Sequence, residues 1–240
     1  MGGLNPPIIY IWHTRLEVHA KKYTLFQSWL SSEEKIRAEK LATPYRQNFI
    51  ISRGVLRDLL AYYSNYPPQE LKLSYSLSGK PLLINPEQPI EFNLSHSKNI
   101  LAYAFTIDAP VGIDIEYIGD RTNLDKIAYR FFPADEYDRL KLLEGKKKLK
   151  AFFKAWVKTE VLIKAMGKTL QTHPYSRYKL SLDPQLNPLI DIKKSIDSLY
   201  TFYNLSLYPN FATAVAVKGD RKPIVIKKYT KTMFARVKSK

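Results

Sequence analysis

The stretch VGIDIEY at residues 111–117 decides the fold prediction, because aliphatic and acidic residues alternate along it. A period of two is typical of a β-strand with one buried face. The aliphatic side chains then point to one side of the strand, and Asp114 and Glu116 point to the other. Gly112, just before them, permits another backbone to approach closely.

Hydrophobic patterns on both sides of this strand place helices and strands in blocks. Two helix starts are predicted on the N-terminal side, one from a capping box of Ser31 with Glu34 and one from the pair Thr43-Pro44. The short strands predicted on that side cover about 8–12, 71–76, 82–84, 90–94 and 101–106. On the C-terminal side the predicted helices lie near 123–131, 134–143 and 148–166, and the predicted strands near 178–182, 199–207 and 211–217.

These blocks predict an α+β fold made of two similar lobes, each with helices followed by strands. We place the N-terminal lobe at residues 1–107 and the C-terminal lobe at residues 108–217. Residues 218–240 are predicted to be a basic C-terminal tail.

The composition of this 240-residue chain excludes several classes of protein. With 45% hydrophobic and 13% aromatic residues it can bury a core, so wholesale disorder is excluded. The absence of cysteine excludes disulfides, cysteine zinc sites, iron–sulfur clusters and thiol catalysis. No apolar run approaches the ~20 residues of a membrane span, and no secretory signal is visible. We therefore expect a cytoplasmic protein without a membrane partner.

Positive charge is concentrated in two segments. The 38 lysines and arginines exceed the 22 acidic residues by 16, and residues 139–168 carry ten basic side chains against two acidic ones. Residues 218–240 carry nine basic side chains against one. This pattern is typical of a solvated face and tail, or of a surface that attracts nucleic acid, anionic lipid, a phosphorylated small molecule or an acidic protein.

The two carboxylates of the 111–117 strand suit a divalent cation. Side chains two apart on a strand face the same side about 6.6 Å apart, and the two charges repel each other unless a cation lies between them. Ligands that are oxygen only favour Mg²⁺, with Mn²⁺ as the alternative. The alternative is an ordinary amphipathic strand whose acidic face is exposed to water, because it would have the same pattern.

The predicted helix that follows carries Trp156, Glu160 and Lys164 on one face. Glu160 and Lys164 are either a third metal ligand and a phosphate-binding lysine, or a surface ion pair.

A third candidate segment is FNLSHS at residues 92–97, where a strand ends in small polar residues around a histidine. Hydroxyls, an imidazole and turn amides donate well to phosphate. A structural role for His96 is the alternative. A hydrolase is not indicated, because no Gly-x-Ser-x-Gly elbow is present.

Together and in order, these segments resemble the 4′-phosphopantetheinyl transferase superfamily, in its long, surfactin-synthetase-activating type. The matching segments are Gly79-Lys80-Pro81, residues 92–97, residues 112–116, Arg130-Phe131-Phe132 with Glu136, and residues 156–167. The arginine-rich helix at 46–57 also resembles the family's N-terminal lobe. The similarity runs from about residue 30 to about residue 217.

The resemblance implies a two-lobed enzyme with coenzyme A in the cleft between the lobes. Such an enzyme moves the 4′-phosphopantetheine arm to a serine of an acyl or peptidyl carrier protein, which is typically acidic, and releases adenosine 3′,5′-bisphosphate. By position, the metal-binding carboxylates are Asp114, Glu116 and Glu160, and the lysine that contacts the pyrophosphate is Lys164. The coenzyme-binding positions are Lys80, Pro81, Ser95 and His96, with Arg46, or else Arg37 or Arg53, facing a phosphate.

The sequence departs from the family pattern next to Glu160. Members often have a lysine directly before this glutamate, whereas here that residue is Thr159 and the lysine is Lys158. One residue rotates a helical side chain by about 100°, so Lys158 either reaches round to the coenzyme or is dispensable.

Two other functions are compatible with parts of the sequence. A nucleic-acid-binding protein would account for the lysine clusters, but it leaves the three carboxylates unexplained, and no recognition module stands out. A family member that binds carrier proteins without catalysis is the other alternative, and the intact carboxylates argue against it. We expect a monomeric enzyme that binds no nucleic acid.

Overall fold

The computed structural model describes residues 4–64, 66–84, 86–107, 109–169 and 199–233. These residues form both helices and strands, which confirms the predicted α+β class. The helices are a 3₁₀ helix at Leu16–Lys22, α1 Tyr23–Trp29, α2 Ser32–Glu39, α3 Thr43–Ser64, α4 Leu124–Phe131, α5 Ala134–Lys141 and α6 Gly145–Met166. The strands are β1 Ile9–Arg15, β2 Leu73–Tyr75, β3 Pro81–Leu83, β4 Ile90–Ser97, β5 Ile100–Ile107, β6 Val111–Tyr117, β7 Tyr200–Leu205, β8 Phe211–Lys218 and β9 Ile224–Lys228.

The first sheet has four strands in the order β4-β5-β1-β9. Helix α3 covers one face of it, because an apolar stripe runs along the helix and is buried against the aromatic side chains of β1 and β5. Its stripe residues Leu56, Leu59 and Leu60 are fully buried. Strands β2 and β3 form a separate two-stranded sheet.

The second sheet has three strands in the order β6-β8-β7. Helix α6 packs on one face of this sheet together with α4 and α5, and its phenylalanines and tryptophan lie in their shared core. The opposite face packs against the first sheet, and the core between the sheets includes Val111, Ile113 and Ile115. The predicted alternation of buried aliphatic side chains along β6 is thereby confirmed. Within the described residues, no helix is both long and apolar enough to cross a membrane.

Most described elements match a prediction from local pattern. The capping box is present, since the Glu34 amide donates to Ser31 Oγ at 3.3 Å and the Ser31 amide donates to Glu34 Oε2 at 3.1 Å. The strand predicted at 178–182 lies outside the described residues. The helical segment at residues 16–29 was not predicted, and neither was β9.

Part of the predicted basic tail belongs to the first sheet. Strand β9 pairs in parallel with β1, and Tyr229, just after it, is fully buried. The Tyr229 hydroxyl donates to Asp58 Oδ2 at 2.8 Å, and the Met233 amide donates to the same oxygen at 2.5 Å. Residues 224–233 are therefore held by β1 and by Asp58 of α3, and they are not the loose tail that their charge suggests.

Candidate functional site

Gly112 brings strand β6 against the backbone of helix α6. A Cβ atom at this position would lie 2.1 Å from the Val161 carbonyl oxygen and 2.7 Å from the Ala165 amide nitrogen. Only glycine fits such an approach. Since Glu160 and Lys164 each precede one of these two helix residues, the contact places both side chains beside the carboxylates of β6.

Asp114 is the centre of the resulting cluster. It is 3% exposed, and its Oδ1 atom accepts from Lys164 Nζ at 2.7 Å and from Ser95 Oγ at 2.7 Å. Lys164 Nζ also lies 3.2 Å from Ser95 Oγ. Strand β4, strand β6 and helix α6 each contribute one member, so residues far apart in the sequence meet at one carboxylate oxygen.

Glu116 and Glu160 are half-buried next to Asp114. Desolvation raises the pKa of Glu116, and the negative charge of Asp114 raises it further, against the Ser97 hydrogen bond and the positive charges of Lys164 and Arg121. Desolvation likewise raises the pKa of Glu160, with Lys164 and Arg121 opposing and the two neighbouring carboxylates adding to the rise. Glu116 and Glu160 therefore bind protons more readily than isolated carboxylates do, and an entering cation would displace those protons.

The cluster has the chemistry of a divalent-metal site. Asp114 Oδ2 is buried and has no hydrogen-bond partner in the described part of the chain, so this oxygen is open to a cation. All three carboxylates supply the oxygen ligands that Mg²⁺ prefers. Among the described residues, however, no three acidic or histidine side chains surround one point closely enough to form a metal cage. Ligation by Asp114, Glu116 and Glu160 therefore stays a prediction.

The remaining predicted residues belong to β4 and to the β2–β3 hairpin. Desolvation lowers the pKa of His96, the Lys164 charge lowers it further, and the Asp114 charge opposes this shift. Lys80 Nζ donates to the Val111 carbonyl at 3.2 Å and lies 3.8 Å from Glu91 Oε2. Pro81 is buried at the start of β3. Lys80 thus joins the hairpin to the start of β6.

The three candidate arginines have different surroundings. Arg46 donates to the carbonyls of Ala38, Glu39 and Leu41, so its guanidinium is bound to the C-terminal end of α2. Arg37 and Arg53 each stack on the Phe49 ring at 5.4 Å.

Arg53 also stacks on Tyr75 at 5.5 Å, and its buried Nη1 has no hydrogen-bond partner among the described side chains and backbone. Tyr75 pairs with Pro81 in the hairpin, next to Lys80. Arg53 therefore lies beside the hairpin with a buried donor that has no partner among the described residues, and the exposed Arg37 lies near the same Tyr75 ring.

Lys158 lies on a different side of α6 from the acidic cluster. It is 6% exposed, and two residues of α-helix rotate a side chain by about 200° relative to Glu160. This geometry favours a structural role for Lys158 over a role in coenzyme binding.

The sequence reasoning missed Arg121 and Ser97. The Arg121 guanidinium stacks on the Trp156 ring at 5.4 Å, one helical turn before Glu160. The Ser97 hydroxyl donates to Glu116 Oε2 at 2.9 Å. Strand alternation was a usable signal for Ser97, because it places this residue on the same side of β4 as Ser95. Arg121 follows β6 in a loop, where no periodicity predicts its position.

Comparisons with known proteins cover the part of the chain that contains this cluster. The sequence model of the 4′-phosphopantetheinyl transferase superfamily matches residues 110–216. The 4′-phosphopantetheinyl transferase HetI of Nostoc sp. is 32% identical over 215 residues, which cover 88% of this chain and 88% of that protein. The 4′-phosphopantetheinyl transferase gsp of Aneurinibacillus migulanus is 30% identical over 156 residues, which cover 63% of this chain and 62% of that protein. The 4′-phosphopantetheinyl transferase AcpT of Escherichia coli K12 is 30% identical over 132 residues, which cover 55% of this chain and 64% of that protein.

The match to HetI includes almost nine tenths of each chain. The match to the family begins just before β6 and ends within β8, so it contains Asp114, Glu116, Glu160 and Lys164. With this extent of similarity, the chain belongs to the 4′-phosphopantetheinyl transferase superfamily.

Proposed function

We propose that the protein transfers the 4′-phosphopantetheine arm of coenzyme A to a serine of an acyl or peptidyl carrier protein and releases adenosine 3′,5′-bisphosphate. The observation that carries this proposal is the meeting of Lys164 with Asp114 beside Glu116 and Glu160, in a chain of this superfamily. A lysine among three carboxylates provides both the charge for a diphosphate and the ligands for its cation.

The charges of the cluster suit a diphosphate once a divalent cation is bound. Three carboxylates with Lys164 and Arg121 sum to −3 + 2 = −1, and a divalent ion brings the total to +1. Asp114, Glu116 and Glu160 would hold this ion, with Asp114 binding through its open Oδ2 atom. When bound, Mg²⁺ or Mn²⁺ would act as a Lewis acid that polarises the diphosphate oxygens.

The residues of the chain then have distinct tasks in the transfer. The carrier serine oxygen attacks the β-phosphorus of coenzyme A, a new P–O bond forms, and the diphosphate P–O bond breaks. The serine proton goes to a carboxylate oxygen of Glu160, which acts as the general base. Lys164 stabilises the negative charge on the departing bisphosphate.

The two substrates reach the cluster from different parts of the molecule. Residues 1–107 and 108–217 act as the two lobes, and coenzyme A lies between them, with its diphosphate at the cluster and its nucleotide phosphate toward Arg53 and Lys80. The α6 lysines Lys146, Lys147, Lys150 and Lys154 are exposed. They attract an acidic carrier protein electrostatically, an effect that weakens with salt. The enzyme acts as a cytoplasmic monomer.

The test of this proposal is the intact mass of an apo carrier protein incubated with the enzyme, coenzyme A and Mg²⁺. We expect the mass to rise by one phosphopantetheine arm, and EDTA to prevent the rise. If several carrier proteins stay unmodified, coenzyme A binding is measured next. Retention of RNA or DNA without binding of coenzyme A would favour the nucleic-acid alternative.

Arg121 gives a more specific prediction about the donor. Replacing Arg121 with glutamine should raise the KM for coenzyme A by about 10-fold, because a charge-assisted contact to phosphate is lost. The urea midpoint should stay nearly unchanged, since the side chain is exposed. Arg15→Gln is the matched control, because Arg15 is also exposed and stacks on an aromatic ring, that of Tyr208 at 5.3 Å. Equal KM values for the two variants would contradict a role for Arg121 at the diphosphate.

A further inference from the structure

Strand β6 lies at the edge of the second sheet, and side chains of β4 cover that edge. The amides of Ile113, Ile115 and Tyr117 donate to Asn93 Oδ1 at 3.0 Å, Ser95 Oγ at 3.4 Å and Ser97 Oγ at 3.0 Å, respectively. An uncovered sheet edge presents unpaired N–H groups at every second residue. Polar side chains at every second position of β4 therefore take the place of a neighbouring strand.

These contacts determine where each serine proton points. The Ser95 and Ser97 oxygens each accept from a β6 amide, and a hydroxyl has a single proton to donate. Ser95 donates its proton to Asp114 Oδ1, and Ser97 donates its proton to Glu116 Oε2. Each serine thus connects the backbone of β6 to the carboxylate of the preceding residue.

We propose that Ser95 and Ser97 are positioning residues that hold Asp114 and Glu116 in the orientation needed to bind the divalent cation. This inference rests on the proposed function, since it assumes that these carboxylates bind a metal. In this role Ser95 acts on the carboxylate of Asp114. Residues that orient metal ligands in this way strongly affect metal affinity.

Asn93 provides a control, because it distinguishes the positioning of a carboxylate from the attachment of the two sheets to each other. Its side-chain oxygen accepts from the Ile113 amide in the same way as the two serines do from theirs, and Asn93 is 4% exposed. The residue before Ile113 is Gly112, so this contact has no carboxylate to orient. Loss of the Asn93 contact weakens the covered edge and leaves both carboxylates with their serine partners.

The experiment compares Ser97→Ala, Ser97→Thr and Asn93→Ala in the full chain. Binding of Mn²⁺ is measured from the loss of the free-ion EPR signal, and stability from urea unfolding in EDTA. We expect Ser97→Ala to weaken Mn²⁺ binding by about 10-fold, the lower end of the effect of such partners, and Ser97→Thr to restore it. Asn93→Ala should lower the urea midpoint about as much as Ser97→Ala and leave Mn²⁺ binding within about twofold of the wild type.

The outcomes distinguish this inference from the proposed function. If the wild-type chain binds no Mn²⁺ and modifies no carrier protein, the proposed function is wrong and the inference is overturned with it. If the wild type binds Mn²⁺ and Ser97→Ala binds it equally well, the inference alone is overturned. The same holds if Asn93→Ala weakens binding as much as Ser97→Ala, because the effect would then come from the sheet edge as a whole.

Discussion

Transfer should fall by about 10²- to 10⁴-fold when Glu160 is replaced with glutamine, because the variant has no carboxylate to accept the serine proton. Glutamine has almost the same shape, so the packing of α6 should persist. The measurement is the initial rate of carrier modification at saturating coenzyme A and Mg²⁺. Glu87→Gln is the control, because Glu87 is an exposed carboxylate in a loop. Full activity of the Glu160 variant would contradict both a base and a ligand role.

The same variant should be more stable than the wild type at neutral pH in EDTA. The raised pKa of Glu160 means that the folded state binds its proton more tightly than the unfolded state does. The contribution of Glu160 to the stability of the wild type therefore falls as the pH rises from the ordinary carboxyl pKa of about 4.3 through the raised pKa. Glutamine cannot ionise, so the variant lacks this decline. Urea midpoints at pH 4 and pH 7 test the sign, and a lower midpoint for the variant at pH 7 would contradict it.

Replacing Gly112 with alanine should destabilise the protein by about 3 kcal/mol or more. The new Cβ would lie 2.1 Å from a backbone oxygen of α6, and a helix backbone cannot move aside as a side chain can. If α6 shifts to relieve the contact, Glu160 and Lys164 move away from Asp114. Since a displacement of about 1 Å can reduce catalysis by about 10²-fold, activity should fall together with stability.

Gly119 provides the control for this experiment. The three atoms nearest to a Cβ on Gly119 would all belong to the Tyr117 side chain, the first at 2.7 Å, and this side chain is 39% exposed and can shift more easily than a helix backbone. Gly119→Ala should therefore change the free energy of unfolding by less than about 1 kcal/mol. Urea unfolding and the transfer rate are measured for both variants. Equal results for the two glycines would show that the contact between β6 and α6 does not position the site.

The features that local sequence predicts well are those whose partners lie a few residues away. The capping box of Ser31 and Glu34 joins residues three apart, and the alternation along β6 is complete within seven residues. Asp114, Glu116 and Glu160 were predicted as a group from the resemblance of ordered motifs, and their proximity follows from the close approach at Gly112.

The features that were missed depend on long-range contacts. Strand β9 alternates isoleucine with lysine, and this weak pattern in a basic segment favours a tail until β1 is seen beside it. Arg46 has the charge of a phosphate ligand, but its guanidinium meets the end of α2 instead. Ser97 and Glu116 are 19 residues apart, and only the two sheets bring them together.

The return of β9 to the first sheet limits the order in which the molecule can be completed as it is synthesised. Residues 4–107 emerge from the ribosome long before residues 224–233, yet β1 has its parallel neighbour only when β9 arrives. The hydrogen bonds from Tyr229 and Met233 to the buried Asp58 also form only then. Contacts between distant segments slow folding and prolong the exposure of strand edges. The first sheet is therefore complete only after residues 224–233 have been synthesised. Cleaving the chain between β5 and β6 would not yield two independent folding units.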